Sequence, residues 1–310
     1  MRLIFMGTPE AAVPTLRRCL EDGHEVLAVW TQPDRPAGRG NKLKAPPVKE
    51  FAQVCGLRVE QPAKIRTDEA FSLFASYRAD AAVVVAYGRI LPSPFLRAPR
   101  LGCINVHFSL LPEYRGAAPV NWAIVRGESE TGVTTMQMDE GLDTGPILLQ
   151  ERAAIGPKET APELMLRLSL LGADLLGKTL ARLDEIEPRP QANEAATFAP
   201  VLRREDGLID WANDAFEIER RVRGFQPWPN AYTKSEAGRL VIWRAQPERV
   251  TDMSPAEHGA VLKAHGDELS VACGGATVLR LEEVQPEGKR RMSVRDFLNG
   301  ARLNVGSILG

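Results

Sequence analysis

Cysteine is scarce and unpaired in this sequence: Cys19, Cys55, Cys103 and Cys273 stand far apart, with no C-x-x-C among them. That spacing argues against a structural zinc site and against a disulfide framework, suits a reducing compartment, and implies no metal. Long apolar runs are missing as well. No window approaches the ~18 consecutive apolar residues of a membrane helix, and the short run before Gly7 falls short of a signal-peptide core. We therefore expect a cytoplasmic protein without membrane contact. Neither sign of charge is in excess, since 39 Lys and Arg face 40 Asp and Glu for a net charge of −1. Any contact with nucleic acid must then come from a local basic patch rather than from the field of the whole molecule. The opening M-G-T-P-E also lacks G-x-G-x-x-G, so a nicotinamide site is a weak reading; Gly7 serves as a tight turn into a helix begun by Thr8 or Pro9. No repeat of fixed period and no low-complexity tract is present.

What is there is 310 residues, 44% hydrophobic and 25% charged, enough for about two domains. Arg2 to Met6, Glu25 to Trp30, Ala81 to Ala86 and Cys103 to His107 read as buried strands, with helical stretches near Pro9 to Leu20 and Asp68 to Tyr77. Alternation of that kind implies an α/β domain, Rossmann-like, with a mostly parallel sheet covered on both faces. Ligands bind such sheets beyond the carboxyl ends of the strands, where Gly7, Tyr87, Gly88 and His107 fall. Glu163 to Leu183 is periodic enough for the last helix, so the first domain spans 1–186. Residues 187–205, rich in Pro, Ala, Gln and Asn, read as a linker. Residues 206–310 begin with a helix pattern for which Asn213 or Asp214 is a candidate cap. They continue in short strand-like runs that suggest a smaller β-barrel.

Four histidines occur, and only His107 sits in chemically suggestive surroundings. Asn105 and His107 are two apart on a presumed strand and face the same side, while Asp143 follows in a second Gly-rich loop. An imidazole beside a carboxylate holds and returns a proton near neutral pH, and an Asn amide bonds an oxygen that gains negative charge. Taken singly, each residue is as easily a core histidine, a turn former or a cap. Together they make an acyl-transfer set without a nucleophilic Ser or Cys.

The run N-V-H-F-S-L-L-P-E-Y-R-G-A-A-P, followed by E-T-G-V-T and D-E-G-L-D-T-G, resembles the folate-dependent formyltransferases. T-Q-P-D-R-P-A-G-R-G-N-K-L-K-A-P-P-V-K narrows the resemblance to the tRNA-directed branch, and G-F-Q-P-W-P-N-A extends it beyond the first ~185 residues. The resemblance implies a Rossmann-like catalytic domain followed by an OB-like barrel that helps hold tRNA, in a monomer. It implies 10-formyltetrahydrofolate as formyl donor and initiator methionyl-tRNA as acceptor, for translation initiation. It also implies Asn105, His107 and Asp143 as the catalytic trio, and Ser109, Leu110, Leu111 and Pro112 with Tyr87, Gly88 and Ile90 as folate contacts. Phe108 departs from the small residue usual there.

Arg35, Arg39, Lys42, Lys44 and Lys49 lie among Gly and Pro with Asp34 as the only acid. Charge alone leaves a solvated surface loop open; the resemblance makes Arg35, Arg39, Lys42 and Lys44 contacts for tRNA phosphates. In the second domain Arg220, Arg221 and Arg223, and Lys289, Arg290 and Arg291, form basic clusters nearly balanced by acids, so solvated faces stay equally open. Rival readings are a formyltransferase for a small amine, such as an amino sugar nucleotide or glycinamide ribonucleotide, which would not need the basic loop, and a non-catalytic RNA-binding protein, against which the intact trio speaks.

Overall fold

The computed structural model describes residues 1–37, 42–235, 238–250, 256–301 and 303–310, without the side chains of Ala37 and Lys42. The chain divides into two compact units, one of residues 1–119, 130–154 and 165–199, the other of residues 120–129, 155–164 and 200–310.

In the first unit the apolar runs become strands: β1 (Arg2–Gly7), β2 (Glu25–Trp30), β5 (Val59–Glu60), β6 (Ala81–Val85) and β7 (Cys103–His107). Between β2 and β5 the segments Arg35–Ala37 (β3) and Lys42–Lys44 (β4) pair antiparallel. Arg115–Gly116 (β8), Glu130–Gln137 (β9), Ile147–Ala154 (β10) and Phe198–Ala199 (β11) follow. The main sheet runs β5-β2-β1-β6-β7-β9-β10, parallel from β5 to β7 and antiparallel from there on. From β1 the chain steps outward to β2 and β5, then returns to β6 on the other side of β1. That reversal opens a crevice at the carboxyl ends of β1 and β6, where such sheets take their ligands.

Helices α1 (Val13–Glu21), α2 (Pro47–Val54), α3 (Asp68–Ser76), α4 (Ser93–Arg97) and most of α6 (Ala161–Ala181) belong with the sheet, whereas α5 (Pro119–Arg126) lies almost wholly in the second unit. Thr67 caps α3 by accepting from the Ala70 N–H at 3.2 Å. On that face Trp30, Phe74 and Phe95 are fully buried and meet edge-on or tilted, with ring centroids 5.3 Å apart for Trp30–Phe74 and 4.7 Å for Phe74–Phe95. On the other face α6 comes close because Gly172 has no side chain: a Cβ there would lie 2.9 Å from Val106 and 3.3 Å from Val133.

In the second unit Asp214 caps α7 (Ala215–Gly224) by accepting from the Glu217 N–H at 2.7 Å. Strands β12 (Ala231–Ser235), β13 (Gly238–Arg249), β14 (Val261–His265), β15 (Glu268–Cys273) and β16 (Thr277–Pro286) form an antiparallel sheet of order β12-β13-β16-β15-β14, with β17 (Met292–Ser293) beside β16 and α8 (Val294–Gly300) after it. The C-terminal tail joins the two edges. Val261 N–H donates to the Ser307 carbonyl at 2.8 Å and Gly310 N–H to the Lys234 carbonyl at 3.1 Å, which completes an OB-like barrel.

Two segments sit elsewhere than their place in the sequence suggests. Residues 120–129 cluster with the second unit, where Asn121 Nδ2 donates to the Gly224 carbonyl at 2.7 Å, Trp122 Nε1 donates to the Pro200 carbonyl at 2.9 Å, and the Trp122 ring stands edge-on to Phe225. These bonds give Asn121 and Trp122 structural work. Residues 187–199, read above as linker, lie in the first unit: Arg189 and Ile147 exchange backbone hydrogen bonds of 2.8 Å, and β11 pairs with β8. Polar residues can be held this firmly because backbone bonding needs no apolar pattern.

Cys19, Cys103 and Cys273 are buried and Cys55 is exposed. Burial pushes the three buried thiols up to about 12, so they remain protonated at neutral pH. A thiol-specific chromophoric reagent should therefore modify one cysteine per native chain, lost in Cys55→Ser, and four after denaturation. Rapid modification of a second thiol in the native protein would contradict this packing.

Candidate active site

Strand alternation sorts the end of β7. Asn105 and His107 point to one face, Val106 and Phe108 to the other, where a Cβ on Gly172 would meet the Phe108 ring at 3.5 Å. Phe108 is therefore a packing residue under α6, on the face opposite Asn105 and His107. Asn105 Nδ2 donates one hydrogen to the Val84 carbonyl at 3.2 Å, and its Oδ1 is buried without a partner. The second amide hydrogen is not used by that bond.

His107 is 7% exposed, and its Nε2 lies 3.0 Å from the Tyr114 carbonyl oxygen. A carbonyl only accepts, so Nε2 carries a hydrogen and Nδ1 is the atom that gains or releases the mobile proton. Nδ1 faces Asp143 Oδ2 at 3.7 Å, an ion-pair distance longer than a hydrogen bond. Asp143 stands in left-handed backbone, φ +55°, a conformation Asp tolerates better than most side chains. Its Oδ2 accepts the Gly116 N–H at 2.8 Å. Gly116 has φ +125°, and a Cβ would fall 2.5 Å from the Ala199 carbonyl oxygen, so only glycine fits there.

Such a set can hold a proton between imidazole and carboxylate and offer an amide donor to a developing oxyanion. The N-terminal family model, described as formyl transferase, matches residues 1–180, and its C-terminal companion, described as formyl transferase, C-terminal domain, matches residues 201–302. The chain belongs to the formyl transferase family. It is 51% identical to a protein of Solibacter usitatus and 47% identical to one of Geobacter metallireducens, both named methionyl-tRNA formyltransferase; each comparison covers all of this chain and 99% of the relative. Among solved structures it resembles WlaRD, a sugar 3N-formyl transferase crystallised in the presence of dTDP and 5-N-formyl-THF. The TM-score is 0.66 at 16% identity over 94% of this chain and 99% of that one, a likeness of fold alone.

Other residues of this formyltransferase chain fall around the β1/β6 crevice and the end of β7. Ser109 is fully buried and its hydroxyl donates to the Glu113 carbonyl at 2.6 Å. Leu111 is buried, with its N–H on Thr134 Oγ1 at 3.1 Å; Leu110 and Pro112 are half-buried. The Tyr87 ring lies in the aromatic core, where burial pushes its phenol up to about 12 and leaves the hydroxyl without a partner. The Tyr87 carbonyl instead takes bonds from Thr8 Oγ1 at 3.0 Å and Gln32 Nε2 at 3.1 Å. Gly88 and Ile90 are exposed. A cavity of about 440 Å³ opens here, lined by Thr8, Pro9, Gln32, Ala86, Gly88 and Arg35 among others.

The basic segment is a hairpin over its described residues, with Arg35 directly opposite Lys44 and both exposed. Arg39 lies outside the described residues, as does the side chain of Lys42. Asp34 accepts from Gln61 and from Lys49, each at 2.8 Å, and these bonds keep its carboxyl below the usual carboxylate range. In the second unit Arg223 pairs with Glu219 at 2.6 Å and donates to the Glu159 carbonyl, Arg221 pairs with Glu217 at 3.4 Å, and Arg291 pairs with Glu283. Those arginines are engaged by their own unit.

Gly116→Ala should push β8 away from β11 and withdraw the N–H that holds Asp143. Formyl-transfer turnover should fall roughly tenfold or more, with a stability loss of about 1–3 kcal/mol. Steady-state kinetics beside urea unfolding would check both, and wild-type values in the two assays would refute the tight fit at Gly116.

Proposed function

We propose that this enzyme transfers the formyl group of 10-formyltetrahydrofolate to the α-amino group of methionine esterified to initiator tRNA, in the cytoplasm. The observation that carries the chemistry is the His107–Asp143 pair, 3.7 Å apart beside Asn105 at the carboxyl end of β7. The acceptor is supported by the printed names of full-length relatives at 51 and 47% identity.

The amine attacks the formyl carbon directly. The free hydrogen of the Asn105 amide donates to the oxygen as it becomes negative, and protonated His107 adds its charge, with Nδ1–H shared between Asp143 and the oxyanion. Asp143 holds that proton on the imidazole and accepts the one lost by the amine, which then passes to the departing N10. No covalent enzyme intermediate is needed. Ser109, Leu110, Leu111 and Pro112 border the folate on one side, and the backbone around Tyr87, Gly88 and Ile90 on the other; exposed Ile90 offers apolar cover for a flat ring. Arg35 and Lys44, like charges facing each other across a hairpin, are unfavourable in isolation and favourable against a phosphate. With Arg39 and Lys42 they meet the acceptor stem.

Asn105→Ala, His107→Ala and Asp143→Ala should each lower turnover by roughly 10²-fold or more with charged Met-tRNA. A near-wild-type rate for His107→Ala would refute the assignment. Running the assay beside an amino sugar nucleotide and glycinamide ribonucleotide separates the acceptor classes, and transfer to a small amine alone would replace the tRNA reading.

Arg35→Ala with Lys44→Ala should raise KM for Met-tRNA and flatten the fall of kcat/KM with salt, by about one unit of log–log slope for each phosphate that is no longer neutralised. An unchanged salt series would remove the hairpin from tRNA binding.

A further inference from the structure

We infer that Gln191, in the polar stretch after α6, is a positioning residue that holds the Asp143 loop through a buried arginine; this rests on the formyl-transfer reading of the trio. Arg115 is only 4% exposed. Its Nε and Nη2 donate to Gln191 Oε1 at 3.0 and 2.7 Å, and Nη2 also to Asn193 Oδ1 at 2.9 Å. The Gln191 amide is thus fixed with its oxygen on Arg115 and its nitrogen turned away. Both hydrogens of Nε2 then go to the catalytic loop, to the Asp143 carbonyl at 2.9 Å and the Gly145 carbonyl at 2.7 Å.

Two consecutive residues of β8 therefore hold Asp143 from both ends. Gly116 N–H takes the carboxylate, and Arg115, through Gln191, takes the backbone. The residue before them, Tyr114, supplies the carbonyl that fixes His107 Nε2. The loop has little room to wander elsewhere, since a Cβ on Gly145 would fall on the Gln137 carbonyl. It does need an outside tether, because Asp143 sits in left-handed backbone that a free loop would leave. A glutamate would still accept from Arg115 but offer the two carbonyls no hydrogen, so its oxygen would repel them.

Gln191→Glu and Gln191→Ala should each reduce kcat for formyl transfer at least tenfold while KM for both substrates stays within twofold. In the Asp143→Asn background the same changes should cost less than threefold, since Gln191 acts through Asp143. In the ligand-free protein the His107 imidazole nitrogens, observed by NMR, should change in Gln191→Ala as they do in Asp143→Asn. That spectrum is informative even if no formyl transfer to Met-tRNA is found, so failure of the functional reading and failure of this one are distinguishable. Wild-type kcat in Gln191→Glu, a full loss retained in the Asp143→Asn background, or unchanged His107 resonances in Gln191→Ala would each overturn the role.

Discussion

The bond from the Gly116 N–H to Asp143 Oδ2 is the contact on which the rest of the site depends. It fixes the Asp143 carboxylate, which faces His107, and it depends on β8 lying against β11 at a distance no side chain at position 116 would allow. The proposed catalytic set is therefore assembled from segments apart in sequence: β7 supplies Asn105 and His107, the loop after β9 supplies Asp143, and Tyr114 to Gly116 bond to both His107 and Asp143. Neither His107 nor Asp143 is anchored by apolar contact alone. Each is held by a backbone group of that short segment, which leaves Nδ1 of His107 facing Asp143 at ion-pair distance.

The parts of this arrangement that follow a period were legible in the sequence. β6 is a continuous Ala/Val run, and its residues are buried on both faces as such a run implies. In β7 the two-residue spacing correctly sets Asn105 and His107 on one side, and the same spacing explains why bulky Phe108 is accommodated: it points to α6, where Gly172 makes room. The helix pattern narrowed the cap of α7 to Asn213 or Asp214, and Asp214 takes the place. What was not legible depends on hydrogen bonds between side-chain amides and carbonyls, which have no signature along one chain. Gln191 in a Pro- and Ala-rich stretch looks like linker material, yet all of its amide is engaged. The gathering of residues 120–129 with the second unit rests in part on Asn121 and Trp122 bonding to carbonyls, and is equally silent in sequence.

Electrostatics divides the basic residues in the same way. With a net charge of −1 the molecule has no overall field to draw in a polyanion, so attraction must come from cations left uncommitted at the surface. Arg221, Arg223 and Arg291, obvious in the sequence, are neutralised by Glu217, Glu219 and Glu283 within their own unit. Arg35 and Lys44 face each other across a hairpin. Arginines clustered on α7 are thus a poor guide to anion binding, because the same helix carries Glu217 and Glu219 four residues before Arg221 and Arg223.

Direct attack by an amine asks little covalent chemistry of the protein and much geometry, since the rate rests on where a donor, a proton and a carboxylate are held. A displacement of about 1 Å at such a site is costly, and Asp143, in left-handed backbone within a glycine-rich loop, keeps its place through bonds made from outside the loop. The chain meets that demand by returning after the long helix α6 to lay residues 187–199 along the site. The polar composition of that stretch then has a physical reason: an apolar segment would bury more surface, but the Gln191 amide accepts from Arg115 through its oxygen while its nitrogen donates to the carbonyls of the loop.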